Sequence, residues 1–128
     1  MKILMVEDEE DTRKALVSIL KRRGYNNLLE ASKGEEAISI IEKEKPDIIF
    51  LDIQLADKVD GMQVLRQTKK SVSPESEVVM MSAYQTEYGQ QAKELGAYDF
   101  FKKPILKFDI FINAIEEIRQ KKGLGKKE

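Results

Sequence analysis

The residues of this chain that could do chemistry stand directly beside apolar runs. Glu7, Asp8, Glu9, Glu10 and Asp11 follow Ile3 to Val6, and Asp52 follows Ile48 to Leu51. Ser82 follows Val78 to Met81, and Lys103 lies just past Phe100 and Phe101, ahead of Pro104. A carboxylate that closes an apolar run is costly unless something neutralises it. Several carboxylates at one place also repel, and a hard divalent cation is the usual remedy. Mg²⁺ in particular takes one or two carboxylates, a carbonyl and several waters. The chain has no histidine and no cysteine. Serine–histidine triads, imidazole or thiolate metal sites, phosphohistidine donors, thiol catalysis and disulfides are therefore excluded. The chemistry available is that of carboxylates, hydroxyls, lysine and the backbone.

The elements that must position these residues can be read from apolar spacing. Ile3 to Val6, Leu28 to Leu29, Ile48 to Leu51, Val78 to Met81 and Phe100 to Phe101 predict strands, the longer runs being continuous, as in strands covered on both faces. Helical spacing lies between them: Ala15, Leu16, Ile19 and Leu20; Ala37, Ile40 and Ile41; Met62 and Leu65. A weaker helix is predicted from about Thr86 to Leu95, anchored by Ala92 and Leu95. Phe108, Phe111, Ile112, Ile115 and Ile118 form the strongest stripe. Ser32 with Glu35 predicts a capping box at the second helix. Gly24 and Gly96 sit where helices should stop, and Pro46 and Pro74 fall in connections. A strand–helix unit repeated in this way predicts an α/β fold, with right-handed crossovers and helices on both faces of a parallel sheet. In such a sheet, ligands bind beyond the carboxyl ends of the strands, which is where the reactive residues stand.

Composition narrows the class. At 128 residues and 41% apolar, the chain has the size and core of one domain. Its 22 basic and 23 acidic side chains nearly cancel, leaving none of the positive excess that direct nucleic-acid binding by displaced counterions needs. No apolar run approaches the roughly 20 residues of a membrane span, and no leader is read at the start; a cytoplasmic protein with no membrane partner is expected. The basic, glycine-broken stretch 121–128 is expected to be a flexible tail or linker stub after a domain over 1–120.

Several motifs in order carry a family resemblance: "MVEDEE" after the first strand, "DIIFLDIQL" through the third, "DGMQVL" opening the third helix, "VVMMSAY" through the fourth strand and "GAYDFFKKP" through the fifth. The chain resembles a response-regulator receiver domain of two-component signal transduction over about residues 1 to 120. The resemblance implies a doubly wound, five-stranded parallel sheet with five helices, flavodoxin-like, in the order 2-1-3-4-5 that the chemotaxis regulator has. It implies a phosphoprotein of a phosphorelay rather than a turnover enzyme, although the domain assists its own phosphorylation and dephosphorylation. Asp52 resembles the phosphoacceptor. Asp8 and Asp52 would bind Mg²⁺ directly, Gln54 through its backbone carbonyl and Glu7 through a water. Lys103 resembles the cation that pairs with phosphoryl oxygens, and Pro104 the proline joined to it by a cis bond. Ser82 and Phe100 match the switch hydroxyl and the switch aromatic. The implied partners are a sensor histidine kinase or phosphotransfer protein, facing the first helix around Arg13, Lys14 and Leu16 to Ile19. A second copy or an output domain would meet a surface of helix 4, strand 5 and helix 5 that includes Ile110 and Ala114.

One departure is visible. Leu55-Ala56 stands where the family often has Met-Pro, and Asp60-Gly61 arrives one residue late, so a longer loop carrying Asp57 and Lys58 is expected. Other classes fit less well. A small Mg²⁺-dependent phosphohydrolase of haloacid-dehalogenase type would carry a second acid at Gln54, which cannot protonate a leaving group. A flavodoxin would place its flavin phosphate where Glu7 to Asp11 repel it. A receiver-like module that works without phosphorylation would not need the full set of Asp8, Asp52, Ser82 and Lys103.

Overall fold

Strands and helices alternate along the chain: β1 Ile3–Val6, α1 Glu10–Arg22, β2 Leu28–Ala31, α2 Gly34–Glu44, β3 Ile48–Asp52, α3 Gly61–Gln67, β4 Glu77–Ser82, α4 Glu87–Glu94, β5 Asp99–Lys102 and α5 Asp109–Lys122. These come from a computed structural model, which describes residues 1–55, 59–83 and 87–124. The strands form one parallel sheet in the order β2-β1-β3-β4-β5. The chain starts in the middle, winds to one edge, returns past its origin and finishes at the other edge.

The apolar runs divide between the two faces by strand alternation. Leu4, Val6, Ile49, Leu51, Val78 and Met80 face Ala37 and Ile41 of α2, Val64 and Leu65 of α3, and Ala92 of α4. Ile3, Met5, Ile48, Phe50, Val79 and Met81 face Leu16, Val17 and Leu20 of α1 and Phe111, Ile115 and Ile118 of α5. Each such side chain, fully buried, contributes about 1.5–3 kcal/mol relative to exposure, so both layers are needed to hold the sheet. Phe111 anchors the second layer, meeting Phe50 edge-on at 5.0 Å and Phe101 at 5.5 Å while stacking on Phe108 at 4.9 Å.

Helix ends follow local chemistry. Gly24 and Gly96 take φ of 95° and 101°, a region closed to most side chains, and they end α1 and the turn after α4 as the sequence predicts. The capping box expected from Ser32 and Glu35 is not formed. The helix begins two residues after Ser32, so Glu36 rather than Glu35 reaches back to the Ser32 backbone N–H and hydroxyl. A capping box does open α3: Asp60 accepts from the Gln63 N–H at 3.0 Å, and Gln63 accepts from the Asp60 N–H at 2.9 Å. α3 runs on into a π-helical turn, Thr68–Val72. α5 extends through Lys121 and Lys122, which donate to Glu77 and to the Glu75 carbonyl. Residues 125–128 of the expected tail lie outside the described residues, as do Ala56, Asp57 and Lys58 of the lengthened loop and Thr86 of the fourth helix. No helix among the described residues is long and apolar enough to cross a membrane.

Candidate phosphoacceptor site

Parallel strands in register deliver their carboxyl ends to one edge of the sheet. Val6 of β1 pairs with Leu51 of β3, Asp52 pairs with Met81, and Ser82 pairs with Lys102. Glu7, Asp52, Ser82 and Lys103 therefore arrive side by side although they are far apart in sequence. Asp52 and Glu7 are buried, while Asp8 stands exposed at the rim. Carboxylate oxygens of Glu7, Asp8 and Asp52 lie within 4.8 Å of one another.

Lys103 reaches into this cluster, its Nζ donating to Glu7 Oε1 at 2.6 Å and to Asp52 Oδ2 at 2.8 Å. Burial works against the ammonium charge, but the hydrogen bonds and charges of Asp52 and Glu7 outweigh it and hold the lysine pKa above its ordinary value. Partial burial, then the hydrogen bond and charge of Glu7, push the Asp8 carboxyl above the usual aspartate value. Lys103 itself is fixed from behind. Its backbone N–H donates to the Ser82 carbonyl at 2.8 Å, and the Lys103–Pro104 peptide bond is cis.

The neighbouring backbone is clamped against the acid. Gln54 N–H donates to Asp52 Oδ1 at 3.1 Å, and Gly61 N–H to the Ile53 carbonyl at 2.9 Å. A Cβ at Gly61 would lie 2.2 Å from the Asp52 carbonyl oxygen, so only glycine lets α3 begin this close to β3. Gly34 of α2 meets the same loop, since a Cβ there would lie 2.0 Å from the Val59 carbonyl oxygen. Arg13 braces the first loop by donating to the Glu7 carbonyl at 2.8 Å and to Glu30 at 3.0 Å.

Every residue singled out from sequence at the strand ends lies at this edge. Ser82 is fully buried, and its hydroxyl donates to Gln54 Oε1 at 3.1 Å. Phe100 is half-buried in the layer beneath α4, where a Cβ on Gly89 would lie 3.8 Å from its ring. Of the two α5 residues expected on the output surface, Ile110 is exposed and Ala114 is buried in this structure. The Gln54 amide, the Arg13 brace and the Gly34 contact carry no local sequence signal, since each depends on residues brought together by the sheet.

The donor set suits a hard cation. It offers only oxygen, and three carboxylates against one ammonium leave a formal charge that a dication would balance. Above it opens a groove of about 870 Å³, walled by Ala15, Leu16 and Ile19 of α1 and by Ile105, Leu106 and Phe108 after β5. Ala15 points into this groove rather than into the core, and Leu106 is 87% exposed.

Comparison with known proteins agrees with this architecture. Residues 3–116 match the family described as response regulator receiver domain. The chain is 36% identical over 110 residues to sporulation initiation phosphotransferase F of Bacillus subtilis, covering 85% of this chain and 84% of that protein. It is 42% identical over 106 residues to the alkaline phosphatase synthesis transcriptional regulatory protein PhoP of the same organism, covering 80% of this chain but only 42% of that protein. Among solved structures, the receiver domain of NtrX from Brucella abortus superposes with a TM-score of 0.84 at 36% identity, covering 93% of this chain and 98% of that one.

Proposed function

The chain belongs to the response-regulator receiver family of two-component signalling, and on that basis we propose that Asp52 accepts a phosphoryl group and passes its presence to a protein-binding surface. The observation that carries this reading is the environment of Asp52. It is a buried carboxylate ending a central strand, with one oxygen on Lys103 and two further carboxylates within 4.8 Å.

The residues divide the work. An Asp52 oxygen attacks phosphorus, forming a P–O bond as the P–N bond to a partner's phosphohistidine breaks and the imidazole leaves. Phosphoryl transfer has a loose transition state, so positioning and charge stabilisation do most of the catalysis. The Gln54 N–H and the Gly61 contact hold Asp52 in place, and Lys103 meets the charge that gathers on the phosphoryl oxygens. Asp8 and Asp52 directly, the Gln54 carbonyl, and Glu7 through water would hold Mg²⁺, which when bound neutralises charge on the transferring group. The domain in this reading is a phosphoprotein intermediate and not a turnover enzyme.

The partner's helix would lie in the groove between α1 and the segment after β5, placing a donor over Asp52. The output would be read through α4, β5 and α5. Ala92 is the one fully buried side chain described on α4, and weakly packed elements respond most readily. With Asp52 phosphorylated, Ser82 would turn toward the phosphoryl group, Phe100 would move inward, and the surface around Ile110 would change for a second copy or an output partner.

Acetyl phosphate with Mg²⁺ should label Asp52 alone, read by borohydride trapping and mass spectrometry. Labelling elsewhere, or undiminished labelling of Asp52→Asn, overturns the assignment. Hydrogen exchange with beryllofluoride should alter residues 83–101, and changes confined to the loops at Asp8 and Asp52 would refute the output surface.

A further inference from the structure

Gln54 touches both halves of the proposed machinery. Its backbone N–H donates to Asp52 Oδ1 at 3.1 Å, which fixes the residue relative to the acceptor. Its side-chain carbonyl accepts from the hydroxyl of Ser82, on the next strand, at 3.1 Å. Ser82 is 0% exposed, so its rotation is confined by the packed end of β4. The same residue's carbonyl takes the Lys103 N–H at 2.8 Å, so the Ser82 backbone is held in place beside the Gln54 side chain. A hydroxyl has a single hydrogen to donate. Given to Gln54 Oε1, it is not available to an oxygen arriving on Asp52. Gln54 is itself exposed, and its amide is placed by hydrogen bonding rather than by burial.

We propose that the Gln54 side chain is a positioning residue that latches the Ser82 hydroxyl in the unphosphorylated state and so opposes occupation of the Asp52 site. The proposal rests on the reading of Asp52 and Ser82 given above. In this arrangement the phosphoryl group must take the Ser82 proton from an existing acceptor, and the resting state is favoured by the worth of that hydrogen bond. A residue two positions after the acceptor that lacked a side-chain acceptor would leave the switch more easily set. Residue 54 thereby tunes the threshold of the switch without touching the reacting phosphorus.

The test is a double-mutant cycle on the intact chain at saturating Mg²⁺, with beryllofluoride as the probe and its affinity measured by calorimetry and by ¹⁹F resonance of the bound species. Gln54→Leu should bind beryllofluoride about 3- to 10-fold more tightly than the parent, the range expected for loss of one neutral hydrogen bond. In a Ser82→Ala background, Gln54→Leu should change the affinity less than about twofold, because no hydroxyl remains to be latched. Equal or weaker binding by Gln54→Leu, or the same gain with and without Ser82, overturns the latch. Asp52→Asn is the control for the underlying reading. If it binds beryllofluoride as the parent does, the acceptor assignment fails, and the latch fails with it. If Asp52→Asn abolishes binding and the cycle shows no coupling, the latch alone is wrong.

Discussion

Replacing Lys103 by methionine removes the ammonium and keeps most of the side-chain volume. The two carboxylates it bridges, Glu7 at 2.6 Å and Asp52 at 2.8 Å, are buried. Carboxylate oxygens no more than 4.8 Å apart repel by about 3.5 kcal/mol at an effective dielectric near 20. Breaking a buried ion pair by removing one partner costs about 3–5 kcal/mol. The Lys103 side chain is 23% exposed, and solvent around it moves the expectation to about 2–3 kcal/mol. For a chain of this size that is a fall of about 10 °C in Tm. In the proposed reading Mg²⁺ binds the same carboxylates in the folded state only, so about 10 mM of it should recover at least half of the loss. The assay is thermal unfolding by circular dichroism, with and without Mg²⁺. The variant should also bind Mg²⁺ more tightly, because a competing positive charge has gone. A fall below about 2 °C, or an equal fall in both conditions, would show that Lys103, Glu7 and Asp52 do not act as one charge cluster.

Asp8→Asn should weaken Mg²⁺ binding while raising metal-free Tm, since burial and Glu7 both disfavour the Asp8 charge; calorimetric Mg²⁺ titration and thermal melts check the pair, and unchanged Mg²⁺ affinity would mean that Asp8 is no ligand. Glu30 is partly desolvated, but hydrogen bonds and charge from Lys14 and Arg13 prevail and hold its pKa below the ordinary 4.5. Its contribution is therefore present above pH 4.5 and is lost as pH falls through the lower folded value. Glu30→Gln should flatten that part of the acid unfolding curve by at most about 1 kcal/mol, and an identical acid limb would refute the linkage. Gly34→Ala puts a Cβ 2.0 Å from the Val59 carbonyl oxygen and should cost about 1–3 kcal/mol in a urea melt. No change would mean that the loop before α3 yields freely to α2.

What the sequence made legible was whatever a local pattern records. β1, β3 and β4 announce themselves because both their faces are covered, leaving no polar position to interrupt the run. The acids, the serine and the lysine at the strand ends stand out against that background for the same reason. β2, half-buried at an edge, contributes only Leu28 and Leu29 as its apolar signal. Helix faces were harder. Ala15 and Ala114 have the same side chain, yet Ala15 faces the groove while Ala114 is buried. Alanine is small enough for either place, so spacing alone could not separate them. The capping box expected from Ser32 and Glu35 misses by one residue in both members: Lys33 is the N-cap of α2 and Glu36 reaches back to Ser32, a difference that spacing alone does not show until the first helical residue is known. The Ser82–Gln54 bond spans 28 positions and exists only because β3 and β4 are in register.

The packing also explains why a charge event at Asp52 should be felt on one side of the sheet more than the other. Every described residue of β1 and β3 is buried, and their flanking helices fill both faces. Close-packed regions of this kind do not deform gradually. On the far side of Asp52 the support thins: β5 is an edge strand with three half-buried residues and one exposed, and α4 offers Ala92 as its deeply buried anchor. The other edge is not equivalent. β2 is tied to α1 by Arg13 and Lys14 through Glu30, and Arg13 continues that tie to the Glu7 carbonyl. Lys103, which meets Asp52 directly, lies just past β5 on the thinner side, and its backbone N–H ties it to Ser82 at the end of the buried β4. In the proposed reading, the direction of the response is set twice, by where the cation that meets a new anion lies and by which strand has the least packing to lose.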